Sequence, residues 1–171
     1  GTGLLRAGDL SDAAEDSEPA IRAWVARLIG ERGYAFIESI DVLSKLAADP
    51  DPTVRLAVAV ACRQFVSGSL TVNTPPRYPL NEVVTGGVLS ELFKASAGND
   101  DPTLHFLIWM ALEPLIEADP MHAVLYYEME LTKKLQPLAS KIMRKMMRRV
   151  SDMGDDVIMA QVAEGLNGLG E

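Results

Sequence analysis

Apolar residues along this chain recur with the period of a helix. In YAFIESIDVLSKLAAD (34–49), Phe36, Ile37, Ile40, Leu43, Leu46 and Ala47 fall on one helical face. In NEVVTGGVLSELFKAS (81–96), Val84, Val88, Leu89, Leu92 and Phe93 do the same, despite two helix-weakening glycines. MHAVLYYEMEL (121–131) predicts a short helix begun by Asp119-Pro120. PLASKIMRKMMRRV (137–150) predicts its partner, with Pro137 at the start and Leu138, Ile142, Met146 and Val150 inside. Alternation with period two is not sustained anywhere, so the pattern predicts an all-α chain without a sheet.

Between these segments one motif returns. EPAIRAWVARL (18–28), DPTVRLAVAVA (51–61) and DPTLHFLIWMA (101–111) each carry an acid, a proline, one free position, an aliphatic residue and then a basic or titratable one. Pro52 lies 33 residues after Pro19, and Pro102 lies 50 after Pro52. The second interval is lengthened by a proline-rich insert at 66–80. DDVIMAQVAEGL (155–166) reads as a fourth, weaker copy without the proline. Spacing of this order with helix–turn–helix content is the mark of a helical solenoid. Residues 1–171 are therefore expected to form one domain, a HEAT-like α-solenoid (superhelix) of about four to five antiparallel helix pairs with atypical ends.

The chemistry of the motif is specific. An acidic residue before the proline caps the helix, and proline suits the first turn because its missing N–H would have no partner there. The aliphatic residue (Ile21, Val54 or Leu104) starts the buried stripe. Arg22 and Arg55 follow directly, placed to reach an acidic turn, their own or a neighbour's, and to tie successive layers together. His105 takes this place in the third copy and is expected to interrupt the ladder. Trp24 and Trp109 read as packing between repeats. Glu113 lies four residues beyond Trp109 and precedes Pro114 inside a predicted helix. The proline frees the carbonyl of Met110 and is expected to kink the axis, either setting the curvature of the solenoid or bringing Glu113 against an Arg or Lys of the next pair.

Composition narrows the function classes. With 48% hydrophobic and 23% charged residues the chain is an ordinary folded protein, and its 6% aromatic content favours helix over sheet. Charge or proline breaks every apolar run before 18 residues, so direct insertion into a membrane is not expected. A net charge of −8 argues against general affinity for nucleic acid or anionic lipid. Cys62 is the single cysteine, which excludes an internal disulfide and a CxxC or CxxCH site within this sequence, and it reads as a small core hydrophobe. His105 and His122 lack the spacing of a metal pair, and the glycine fragments lack the strand-to-helix setting of a phosphate loop. No catalytic, metal or cofactor set emerges, and no cofactor is expected. The start GTGLLRAGDL has neither an initiator Met nor a signal segment, so the sequence reads as part of a longer protein.

The marked surface feature is KKLQPLASKIMRKMMRRV (133–150), with seven of the chain's 16 basic residues and no acid. Lys141, Lys145 and Arg148 follow helical spacing and Arg144 adjoins them. Together they form either a solvated face near a helix C-terminus or a surface that docks an acidic partner. DLSDAAEDSE (9–18) supplies the opposite charge.

The acid–Pro–x–aliphatic–Arg turn resembles HEAT repeats. From residue 99 onward, Ile108-Trp109, Glu113-Pro114-Leu115, Asp119-Pro120 and the Pro137-Leu138 start of a basic helix resemble the helical region of a narrower family. These are the membrane-bound-dehydrogenase-type proteins of planctomycetes and verrucomicrobia. In that family a sugar-dehydrogenase-like propeller precedes HEAT repeats and a c-type haem-binding domain follows them. This chain differs from the family pattern at Thr103, His105 and Met110. The resemblance implies an extracytoplasmic (periplasmic) parent engaged in redox chemistry, with its haem and substrate sites outside this segment. The expected function is a non-catalytic scaffold or docking module between redox domains, partnered by neighbouring domains of the parent or by another protein. A free-standing peptide- or protein-binding adaptor is the alternative. The scattering of titratable groups disfavours an enzyme or cofactor-binding domain.

Overall fold

A computed structural model describes residues 7–32, 37–67, 82–131 and 137–168. Among the described residues there are nine helices and no strand. They are α1 (Ala7–Ala13), α2 (Pro19–Arg32), α3 (Ile37–Ala47), α4 (Pro52–Ser67), α5 (Glu82–Ser96), α6 (Pro102–Ala118), α7 (Pro120–Leu131), α8 (Pro137–Asp152) and α9 (Asp156–Gly168).

The helices alternate between two layers. The even helices stack in order, α2 on α4, α4 on α6 and α6 on α8; the odd ones stack as α1, α3, α5, α7 and α9. Four helix pairs and a closing helix thus make the expected all-α solenoid. Every even helix begins with proline, at Pro19, Pro52, Pro102 and Pro137. Aspartates cap the starts of several helices: Asp51 accepts the Thr53 N–H at 2.8 Å, Asp101 that of Thr103 at 2.8 Å, and Asp119 that of His122 at 3.0 Å. Gly154, at φ +69°, ends α8 in the left-handed region, and Asp155 then caps α9 through the N–H groups of Val157 and Ile158.

Two expectations need correction. DDVIMAQVAEGL does begin a helix, α9, but that helix stacks on α7 in the odd layer and not as a fourth even helix. The fourth even position belongs to α8. An acidic cap can start any helix, so cap chemistry alone does not assign a layer. The expected insert also starts late: α4 runs to Ser67, and the remainder of 66–80 lies outside the described residues.

The core is continuous from Leu10 to Val162 and lies between the layers. Leu43, Leu46, Val88, Leu89, Leu92 and Phe93 enter it from odd helices; Val54, Val58, Ile108, Leu112, Ile142 and Met146 enter from even ones. The even layer also buries small residues. Ala26, Ala57, Ala59, Ala61 and Ala111 are all buried, which lets the axes approach closely. Gly30 is the extreme case, since a Cβ there would lie 2.8 Å from the Cα of Ala61 and would also meet the Gln64 Oε1. Because the obstacle is backbone, the clash outweighs the helix propensity gained. Gly30→Ala is expected to lose about 1–3 kcal/mol of stability, measured by urea denaturation, where an unhindered helix site would gain about 1 kcal/mol.

Candidate functional site

The arginine of the repeat motif does two jobs in its first copy. Arg22 Nη1 donates to the carbonyls of Asp16 (2.8 Å) and Ser17 (3.2 Å), closing the turn that precedes its own helix. Its Nε and Nη2 grip the carboxylate of Asp49, in the turn of the next pair, at 2.7 and 2.9 Å. Asp49 in turn accepts the Asp51 N–H at 2.8 Å. One planar fork therefore fixes two consecutive turns.

Burial opposes ionisation of Asp49. The Arg22 hydrogen bond, the Asp51 N–H and the Arg22 charge together outweigh it and hold the carboxyl below the usual value near 4. The same hydrogen bond raises Arg22.

Arg55 departs from this pattern. Its Nη1 closes its own turn through the carbonyls of Asp49 (2.6 Å) and Pro50 (3.0 Å), but it makes no ion pair with the following turn among the described residues. The position equivalent to Asp49 is Asn99, whose Oδ1 accepts the Asp101 N–H at 2.7 Å. Without a carboxylate there, the buried Nε of Arg55 has no hydrogen-bond partner. The ladder therefore breaks one step earlier than His105 implies, at the acceptor rather than the donor. His105 keeps the turn-closing half of the role, its Nε2 lying 2.5 Å from the Asn99 carbonyl.

A second cluster spans three even helices. The helix α6 continues through Pro114, which cannot donate to the Met110 carbonyl. Arg63 of α4 replaces that donor, with Nη1 2.7 Å from the Met110 oxygen and 3.5 Å from the Glu113 carboxylate. On the other flank Arg149 of α8 donates from Nε to Glu113 at 3.0 Å, and its Nη2 lies 3.5 Å from Glu117. Glu113 thus bridges α4 and α8 across α6. Sequence reasoning named Glu113 and the freed carbonyl but missed Arg63 and Arg149. Arg63 was legible, since it stands 11 residues after Pro52 as Glu113 stands 11 after Pro102.

Next to this cluster Lys145 of α8 lies over two rings of α6, 5.9 Å from the Phe106 centroid and 5.6 Å from that of Trp109. Phe106 is exposed and Trp109 half-buried. Lys141, Arg144 and Arg148 are exposed on the same helix and make no ion pair among the described residues. Trp24, expected to pack between repeats, is instead exposed on α2 with Arg27 at 5.4 Å from its ring. The arrangement offers cations and aromatic faces for binding. Among the described residues no group of three His, Cys, Asp or Glu side chains is placed to hold a metal ion, and no helix is long and apolar enough to cross a membrane. Burial pushes the Cys62 thiol up to about 12, leaving it a packing group.

The pH dependence of stability follows from Asp49. Its depressed value contributes stability that is complete above the unfolded value near 4 and is lost as pH falls through the lower folded value. Thermal melts between pH 7 and 2 are expected to show an acid loss of Tm below about pH 4, and Asp49→Asn should shrink it while lowering Tm at pH 7. For the second cluster, Arg63→Ala should cost less in a Pro114→Ala background, where the Met110 carbonyl regains a helical donor. A double-mutant cycle is expected to show coupling of about 0.5–1.5 kcal/mol.

Residues 9–72 match the family model for HEAT repeats. No curated protein and no solved structure gives a match. With its alternating layers and its proline-started stack, this chain is an all-α solenoid containing a HEAT-repeat region.

Proposed function

We propose that the chain is a non-catalytic helical-repeat scaffold, and that the face formed by α6 and α8 docks an acidic surface of a protein partner. HEAT-repeat architecture suggests scaffolding or protein binding in general. The observation that carries the finer reading is the row of exposed cations Lys141, Arg144 and Arg148 beside Lys145, which lies over Phe106 and Trp109. On a chain of net charge −8, a helix whose exposed Lys141, Arg144 and Arg148 make no ion pair among the described residues creates a strong local field. The aromatic rings supply contact area for hot-spot side chains.

The partner in this reading is a neighbouring domain of the parent chain. The resemblance from residue 99 onward to the helical region of dehydrogenase-type proteins supports that choice, and with it a scaffold between redox domains of an exported protein. A free-standing adaptor would use the same face on a separate chain.

Calorimetric titration of the chain against the parent's flanking domains, at low and at high salt, tests this. Binding is expected to weaken with salt and to fall at least roughly tenfold when Lys141, Arg144, Lys145 and Arg148 are reversed to Glu. Binding that ignores both salt and charge reversal would move the docking surface elsewhere. Absence of binding to either flanking domain would remove the inter-domain role.

A further inference from the structure

The α2–α4 and α4–α6 joints share a donor and differ in the acceptor. Arg22 and Arg55 each close their own turn with Nη1, on the carbonyls six and five residues earlier. With Nη1 held in the same way, the planar guanidinium turns its Nε edge toward the turn that follows. For Arg22 that edge meets the Asp49 carboxylate, Nε on Oδ2 and Nη2 on Oδ1. For Arg55 the residue in that place is Asn99, three residues before Pro102 as Asp49 is three before Pro52.

The exchange of carboxylate for amide reverses one hydrogen-bonding role. Asp49 Oδ1 accepts the Asp51 N–H at 2.8 Å, and Asn99 Oδ1 accepts the Asp101 N–H at 2.7 Å. That bond orients the amide, so Nδ2 of Asn99 takes the place of Asp49 Oδ2. A donor stands where the fork of Arg55 requires an acceptor. Arg55 is only 7% exposed, and its Nε has no hydrogen-bond partner. A buried charged donor left in this way is costly, and two N–H groups facing one another favour an acceptor that both can share.

The neighbouring carboxylates are engaged elsewhere. Asp49 is held by Arg22, Asp51 accepts the Thr53 N–H (2.8 Å) and hydroxyl (2.6 Å), and Asp101 accepts the Thr103 N–H (2.8 Å). Asp100 is exposed. None of them pairs with Arg55 among the described residues. Their charge opposes the entry of a further anion, so the acceptor must be small and singly charged.

We propose that the α4–α6 joint binds a small monovalent carboxylate, the size of formate, between the Arg55 guanidinium and Nδ2 of Asn99. The anion supplies from solution what Asp49 supplies from the chain at the α2–α4 joint. Its planar pair of oxygens matches the guanidinium edge, and the burial of Arg55 excludes a bulkier acid. Three heavy atoms limit the affinity to about millimolar. When bound, the anion ties the turn before α6 to the start of α4. The hold between these two pairs then follows the anion concentration, while the α2–α4 joint is locked permanently.

Thermal melts of the full chain at pH 7 and constant ionic strength, with sodium formate replacing sodium gluconate, test the site. Gluconate carries the same carboxylate on a body too large for the joint and serves as the reference anion. The Tm should rise saturably with formate, half-maximally at roughly millimolar concentration. Asn99→Asp returns the ladder carboxylate to the chain. It should melt higher than the wild type in gluconate and need at least roughly tenfold more formate for any further rise. Arg55→Gln removes the charged donor and should lose the response as well. If it fails to fold by circular dichroism, Asn99→Asp carries the test alone. An equal response of the wild type and Asn99→Asp marks a general salt effect and overturns the proposal. A wild-type Tm that formate leaves unmoved overturns it too, as does an Asn99→Asp chain that melts lower than the wild type.

Discussion

Everything in this solenoid depends on the register between successive even helices. A helix pair has no core of its own and buries its apolar face only when the next pair lies at the right height and angle. The Arg22 fork sets that height once, by holding the turn before α2 through backbone carbonyls and the turn before α4 through Asp49. Apolar packing alone would tolerate sliding by part of a turn. A bidentate pair between a guanidinium and a mostly buried carboxylate does not, because its geometry is directional. With the height fixed, Gly30 of α2 meets Ala61 of α4.

The absence of a carboxylate at Asn99 raises the question of what holds α6 on α4. The answer lies two to three turns further along the helices. Pro114 removes one helical hydrogen bond from α6, and Arg63 reaches across to supply it. An ordinary residue at 114 would have satisfied the Met110 carbonyl within the helix and taken that acceptor from Arg63. Glu113 then passes the constraint on to α8 through Arg149. The first joint is locked at the helix starts and the later ones nearer the helix ends, so the chain uses two different polar devices for one geometric task.

Much of this was legible in the sequence, and the failures have physical causes. Leu43, Leu92 and Ile142 appeared on apolar stripes of helical period and are buried as that period requires. Arg55 matched Arg22 by position, but a ladder needs both ends, and only the identity of residue 99 shows that the acceptor is missing. The helix at 155–166 carried the motif's cap and aliphatic residues, yet the layer of a helix is set by how many helices precede it. Trp24 sits in an apolar run like any core residue. Its exposure depends on what lies against α2, and periodicity within one segment carries no information about its neighbours. The contact of Lys145 with Phe106 and Trp109 joins residues about 40 apart, and only the parallel course of α6 and α8 brings them together.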